Sequence, residues 1–136
     1  MQLKIAFDKE LSAWTLTHHE CNIDTLADID TWKTQLQHEF TKVTIRPSYL
    51  LIDLQGFNLS ASMAEHYGNV VKTLTYAGLW LGVVRYDAGR KDLTATVMRL
   101  QAIKNKFPSN IFPNREAALE ALAHIRQLPE SPAPAH

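Results

Sequence analysis

Residues 49–54, Tyr-Leu-Leu-Ile-Asp-Leu, form an almost unbroken apolar run. A strand with one wet face alternates apolar and polar side chains; this one does not. An unbroken run of strand length reads instead as a strand covered on both faces, usually a central parallel one. Parallel neighbours need crossover connections, normally helices, so this hexapeptide confines the chain to an α/β architecture.

The rest of the chain supplies the helices. Leu3, Ile5 and Phe7 alternate with other residues, as do Trp14 and Leu16, with Asp8, Lys9 and Glu10 between them. This predicts an N-terminal β-hairpin buried on one face. A helix is predicted over 24–42, with the stripe Leu26, Ile29, Trp32, Leu36, Phe40 and Val43, capped by Thr25 with Asp28 and closed by Pro47. A second, over 60–76, is lined by Ala64, Tyr67, Val70, Val71 and Leu74. Ser62 and Glu65 have capping-box spacing, Ser60 competes as the cap, and Gly78 ends the helix. Residues 79–84 read as another buried strand, and the turn Asp87-Ala88-Gly89 leads to a helix capped by Asp92. Leu93, Val97, Leu100 and Ile103 are expected on its inner side. Ile111-Phe112 is a short last strand, and Pro113-Asn114 opens a final helix with Ala118, Leu122 and Ile125 inward. The predicted order is β-β-α-β-α-β-α-β-α, a mixed β-sheet with an N-terminal hairpin and about four helices, with right-handed crossovers.

Size agrees with one domain over residues 1–128, followed by a tail, Pro-Glu-Ser-Pro-Ala-Pro-Ala-His at 129–136, too polar to order itself. Cys21 is the single cysteine, so no internal disulfide forms. With no apolar stretch of signal-peptide or membrane-span length, the expected location is the cytoplasm. Fourteen basic and 14 acidic residues cancel overall. Residues 85–115 nevertheless hold 7 basic against 2 acidic groups, a local excess suited to an anionic partner. Overall neutrality argues against a nucleic-acid partner, whose binding rests on phosphate neutralisation.

Several side chains are candidates for chemistry. Asp53 lies near the carboxyl end of the buried strand, the edge where ligands collect in open α/β sheets. Arg85 and Arg90 follow the neighbouring strand, so Asp53, Asn58, Ser62, Arg85 and Arg90 form an expected rim. An Asp53–Arg85 ion pair, or an Asp53 bond to the turn at Gly56, is the simpler expectation. Asp53 does not suit a magnesium-dependent phosphoacceptor, because the first strand ends with Asp8 alone and no strand ends in the required lysine. His18-His19-Glu20-Cys21 holds metal-capable side chains, but consecutive strand residues point to opposite faces, and no metal or cofactor is expected. There is no Gly-x-Ser-x-Gly elbow and no Gly-rich phosphate loop, so no catalytic residue is assigned. Tyr67, Tyr76, Trp80 and Tyr86 are aromatic candidates for a pocket lining, with core packing as their ordinary use.

Three stretches carry a family resemblance. Residues 49–56 (YLLIDLQG), the following helix with the strand LWLGVVRY, and residues 111–122 (IFPNREAALEAL) occur in the order found in STAS domains. The chain thus resembles the anti-sigma-factor antagonist family and the related SpoIIAA-like proteins. That resemblance implies a non-catalytic, regulatory protein-interaction module, pairing in some cases as a homodimer. It also implies a serine switch at the head of the helix after the central strand, here Ser62 or Ser60, within Asn58-Leu59-Ser60-Ala61-Ser62-Met63-Ala64. The usual Asp-Ser-Ser-Gly of the switch is absent: Ala61 and Ala64 stand where its aspartate and glycine would be. An interaction module should show an exposed apolar patch near Leu59 and Met63. The alternative, an apolar small-molecule carrier or sensor, should enclose a pocket of at least about 300 Å³. An enzyme should bring Asp53 and Arg85 into one cleft.

Overall fold

A computed structural model describes residues 1–44, 48–87 and 93–127. Pro47, Arg90, the Asp92 cap and the 129–136 segment lie outside the described residues. The strands are β1 (Gln2–Asp8), β2 (Ala13–His19), β3 (Cys21–Ile23), β4 (Ser48–Asp53), β5 (Phe57–Leu59), β6 (Trp80–Tyr86) and β7 (Ile111–Phe112). The helices are α1 (Leu26–Phe40), α2 (Ala64–Val70), α3 (Thr94–Asn105) and α4 (Arg115–Gln127).

Five strands form one mixed sheet in the order β1-β2-β4-β6-β7. β1 and β2 are the antiparallel hairpin; β4 lies parallel to both β2 and β6, and β7 is parallel to β6. The hexapeptide therefore occupies the middle of the sheet, as its composition demands. Leu50 and Ile52 point to one core, Leu51 to the other, and all three are buried. Burying each such side chain contributes roughly 1.5–3 kcal/mol. One face carries the large core beneath α1, α2 and α3; α4 covers the other with Ala118 and Leu122 against Leu51 and Val84.

The Thr25–Asp28 capping box forms as the spacing predicts, with Asp28 N–H donating to Thr25 Oγ1 at 3.1 Å. Ile29, Trp32, Leu36, Phe40 and Val43 are buried; Leu26 is an exception, 55% exposed in the first turn. From α1, Gln35 and Glu39 accept hydrogen bonds from Leu3 N–H and Ile5 N–H, at 3.2 and 2.9 Å. These bonds satisfy amides on the outer edge of β1 that would otherwise invite another strand. Burial alone would raise the Glu39 carboxyl, but its bonds to Lys42 and Ile5 N–H outweigh that and lower it.

Three local features depart from the sequence reading. β3 and β5 pair in parallel as a separate two-stranded sheet. At three residues each, they are too short to show a period. The helix predicted over 60–76 is a composite: a 3₁₀ turn at Ala61–Met63, then α2, then a π-helical segment at Val71–Thr75. On α3 the expected inner residues Leu93, Leu100 and Ile103 are 70%, 59% and 75% exposed, and only Val97 of that set is buried. The inward side is instead Thr94, Ala95, Val97, Met98, Gln101 and Ala102. No helix among the described residues is long and apolar enough to cross a membrane.

Candidate functional site

The carboxyl ends of β2 and β4 open onto a polar depression of about 490 Å³, whose lining includes His18, Asp53, Gly56 and Asn58. Asp53 Oδ1 accepts from Gln55 N–H at 2.9 Å, which ties its carboxylate into the turn that follows. That turn needs Gly56. Its φ is +82°, and a Cβ there would lie 2.6 Å from the His18 carbonyl oxygen. Gly56 O in turn accepts from Cys21 N–H at 2.8 Å, so β3 starts against this turn. Asn58 Nδ2 donates to Asn22 Oδ1 at 2.7 Å across the β3–β5 pair.

His18 is the titratable group at the floor of this depression. Its Nδ1 lies 2.9 Å from the Asp53 carbonyl oxygen, an acceptor only, so Nδ1 carries the proton. Its ring packs on Phe57 at 5.1 Å between centroids. Burial drives its pKa down to about 4, against smaller upward pulls from Asp53, and the imidazole is neutral near pH 7. Cys21 is fully buried, and desolvation raises its thiol pKa. His19 and Glu20 point outward, 3.8 Å apart, so the His18–Cys21 run does not converge on one point.

Arg85 is not on the rim. It is 2% exposed, with Nη1 donating to Tyr67 OH at 2.8 Å and Nε to Ser109 O at 3.1 Å. The register is the reason. Arg85 stands opposite Ile52, and Asp53 opposite Tyr86. Side chains of paired residues share a face, so Asp53 and Arg85 lie on opposite faces of the sheet. The expected Asp53–Arg85 ion pair is therefore not formed, and among the described residues the hollows lined by Asp53 do not include Arg85. Asp53 instead shares the α4 face with Tyr86 and Arg115 around a depression of about 200 Å³. Burial raises the Tyr86 pKa, and the neighbouring Asp53 adds to it.

Beneath α1 and α2 an interior cavity of about 30 Å³ is lined by His18, Trp32, Tyr67, Tyr76 and Arg85 among others. That is room for roughly two waters, far short of the roughly 300 Å³ a carrier needs. The π-helical segment shapes its wall: the wider turn, closed by Tyr76 N–H to Val71 O at 3.1 Å, brings Val71, Thr75 and Tyr76 onto it. Of the other aromatic candidates, Trp80 packs edge-on against Phe40.

Ser60 and Ser62 lie where β5 passes into the 3₁₀ turn, with Ser62 exposed and Ser60 partly so. Neither hydroxyl caps a helix; Ser60 Oγ and Ser62 Oγ are 3.1 Å apart and bond to each other. The Ser62–Glu65 capping box is not made, because the 3₁₀ turn moves the start of α2 to Ala64. Glu65 pairs with Lys104 of α3 instead. Leu59 is only 5% exposed and Met63 packs partly into the core, so neither forms the exposed apolar patch expected there; among the described residues the exposed apolar side chain beside Leu59 is Leu93, 70% exposed in the same groove. Leu59, Ser60, Leu93 and Asp24 line a surface groove of about 400 Å³ between β5 and α3.

With this arrangement in view, the chain can be set beside known proteins. No family model matches it, and no curated protein does. Among solved structures it is similar to an anti-sigma-factor antagonist (STAS) domain protein from Planctomyces limnophilus, with a TM-score of 0.59 at 13% identity. The match covers 90% of this chain and 99% of that one. The chain has a STAS-type fold. The resemblance read from YLLIDLQG and the later stretches thus holds at the level of fold.

Two features of the site escaped the sequence reading. His18 follows Trp14 and Leu16 at spacings of two, and that alternation was a signal that it faces inward. Nothing comparable pointed to Arg115, because its approach to Asp53 depends on how α4 docks on the sheet.

Proposed function

We propose that this chain is a non-catalytic regulatory module that binds a protein partner through the surface around residues 57–66, with Ser62 or Ser60 as its switch. The carrying observation is the pair of hydroxyls 3.1 Å apart at the head of the 3₁₀ turn, neither engaged in capping and one of them, Ser62, on an exposed residue. A phosphate on either would add roughly −1.5 to −2 charge and break the Ser–Ser bond, changing the surface without disturbing the core. Asp53 and Asn58 border this surface through the polar depression, while Arg85 supports it from inside through Tyr67 of α2. The STAS-type fold is in keeping with such a role. A carrier role has little room, given the 30 Å³ interior.

The test is capture from native lysate by the wild-type chain and by Ser62→Asp, read by mass spectrometry. A partner held by the wild type and released by Ser62→Asp is the expected result. Absence of any protein partner, with a small molecule co-purifying instead, would overturn the proposal.

A further inference from the structure

The face that α3 turns away from the core has the form of a half-made helix pair. Leu93, Thr96, Leu100 and Ile103 stand at spacings of three, four and three, the a/d pattern of a two-stranded coiled coil. All four are exposed, and the three apolar ones are 70%, 59% and 75% exposed. On that frame Arg99 and Lys104 fall at the flanking g and e positions. Residues 93–106 hold Arg99, Lys104 and Lys106 and no carboxylate. Among the described residues Arg99 donates to the Ile111 carbonyl, at 3.4 Å, a neutral acceptor. Lys104 pairs with Glu65, but both are well exposed, and a surface ion pair of this kind exchanges readily.

We infer that the outer face of α3 docks an amphipathic helix of a partner protein, with apolar residues at heptad spacing and carboxylates on its flanks. The inference rests on the interaction-module reading and names the chemistry of the partner. Charge selects among occupants. In a second copy of this chain, parallel or antiparallel, Arg99 and Lys104 would meet Arg99 and Lys104. A membrane surface calls for a broader apolar face than three side chains on a helix about 18 Å long. An acidic helix suits both the apolar stripe and its flanks. The groove holding Ser60 also holds Leu93, so the stripe continues toward the serine pair. A phosphate there would repel an acidic partner, which gives the switch its sign.

The test uses the full chain, isotope-labelled, titrated with a three-heptad helical peptide carrying Leu at a and d and Glu at e and g. The control peptide carries Lys at e and g. The Glu peptide should bind, perturb amides along α3, and weaken as salt rises. Leu100→Ala and Ile103→Ala should each weaken it about tenfold. Arg99→Glu should turn the preference toward the Lys peptide, a reversal that simple loss of folding does not produce. The inference is overturned by equal binding of both peptides, by binding of neither, or by shifts mapping away from α3. Leu100-dependent self-association in sedimentation, or Leu100-dependent uptake by phosphatidylserine vesicles, also overturns it. If the peptides fail while lysate capture still responds to Ser62→Asp, only this inference falls. If the Glu peptide binds α3 but Ser62→Asp changes no capture, the serine switch falls instead.

Discussion

α1 and α3 pack on the same side of the sheet, and both show apolar residues at helical spacing, but only α1 buries the stripe its spacing nominates. In α1 the positions off the stripe are almost all polar, among them Asp30, Lys33, Thr34 and Gln37, so the pattern has one solution. In α3, Ala95, Val97, Met98, Leu100, Ala102 and Ile103 leave apolar residues on every side, and the pattern has two. Space decides between them. At Gly68 of α2 a Cβ would lie 2.6 Å from Gln101 Oε1 and 2.8 Å from Asn105 Nδ2, so the missing side chain leaves room for these two polar residues of α3. Seating Gln101 against α2, with Met98 and Ala102 buried on the same side, turns Leu100 and Ile103 outward. Thr94 fixes the choice at the other end, since its hydroxyl accepts from buried Leu59 N–H at 3.1 Å. A helix face is legible in sequence only where the opposite face is polar.

The largest effects are expected on the α1 side. Trp32 packs 5.4 Å from Phe57 and 5.7 Å from Tyr67, ring to ring. Trp32→Ala should cost about 3–5 kcal/mol, read as a fall in the urea midpoint.

Acid acts on the same aromatic cluster through His18. Its folded pKa of about 4 lies below the ordinary 6.5, so the unfolded chain binds the extra proton. His18 therefore contributes stability that is complete above pH 6.5 and lost as pH falls toward 4, up to about 3 kcal/mol. Denaturant midpoints measured across that window should fall for the wild type and stay nearly flat for His18→Gln. Glu39, whose pKa is lowered, contributes its own loss only as pH falls below the ordinary 4.5.

On α3 the expected effects shrink. Thr94→Val keeps the shape but leaves Leu59 N–H without its acceptor, at a cost of about 1–2 kcal/mol in the thermal unfolding curve. Leu100→Ala, at a position the spacing places in the core, should change stability by no more than about 0.5 kcal/mol. A loss of several kcal/mol there would mean that Leu100 is buried after all.

Much of the fold was legible, for identifiable reasons. Residues 49–54 had no polar face to turn to water, so their place inside the sheet followed from composition. The Thr25–Asp28 cap is a local hydrogen-bond pattern that needs no tertiary partner. The site was less legible. Asp53 and Asn58 do border one polar depression, but Arg85 points to the opposite face, and a shift of one residue in the β4–β6 register would have reversed that. Ser60 and Ser62 were placed correctly at a helix start and given the wrong bonds, because a 3₁₀ turn and a π-helical segment leave no periodic trace.

Local pattern was enough to place the longer strands and helices, and to put YLLIDL between two layers, because local hydrogen bonding and the removal of apolar surface from water act residue by residue. Only the packing of elements decided which face receives Arg85, which side of α3 meets the core, and how little space is left between His18, Tyr67 and Arg85. Those outcomes depend on strand register and on how closely helices can approach. Both are properties of pairs of elements, and no single stretch of the chain contains them.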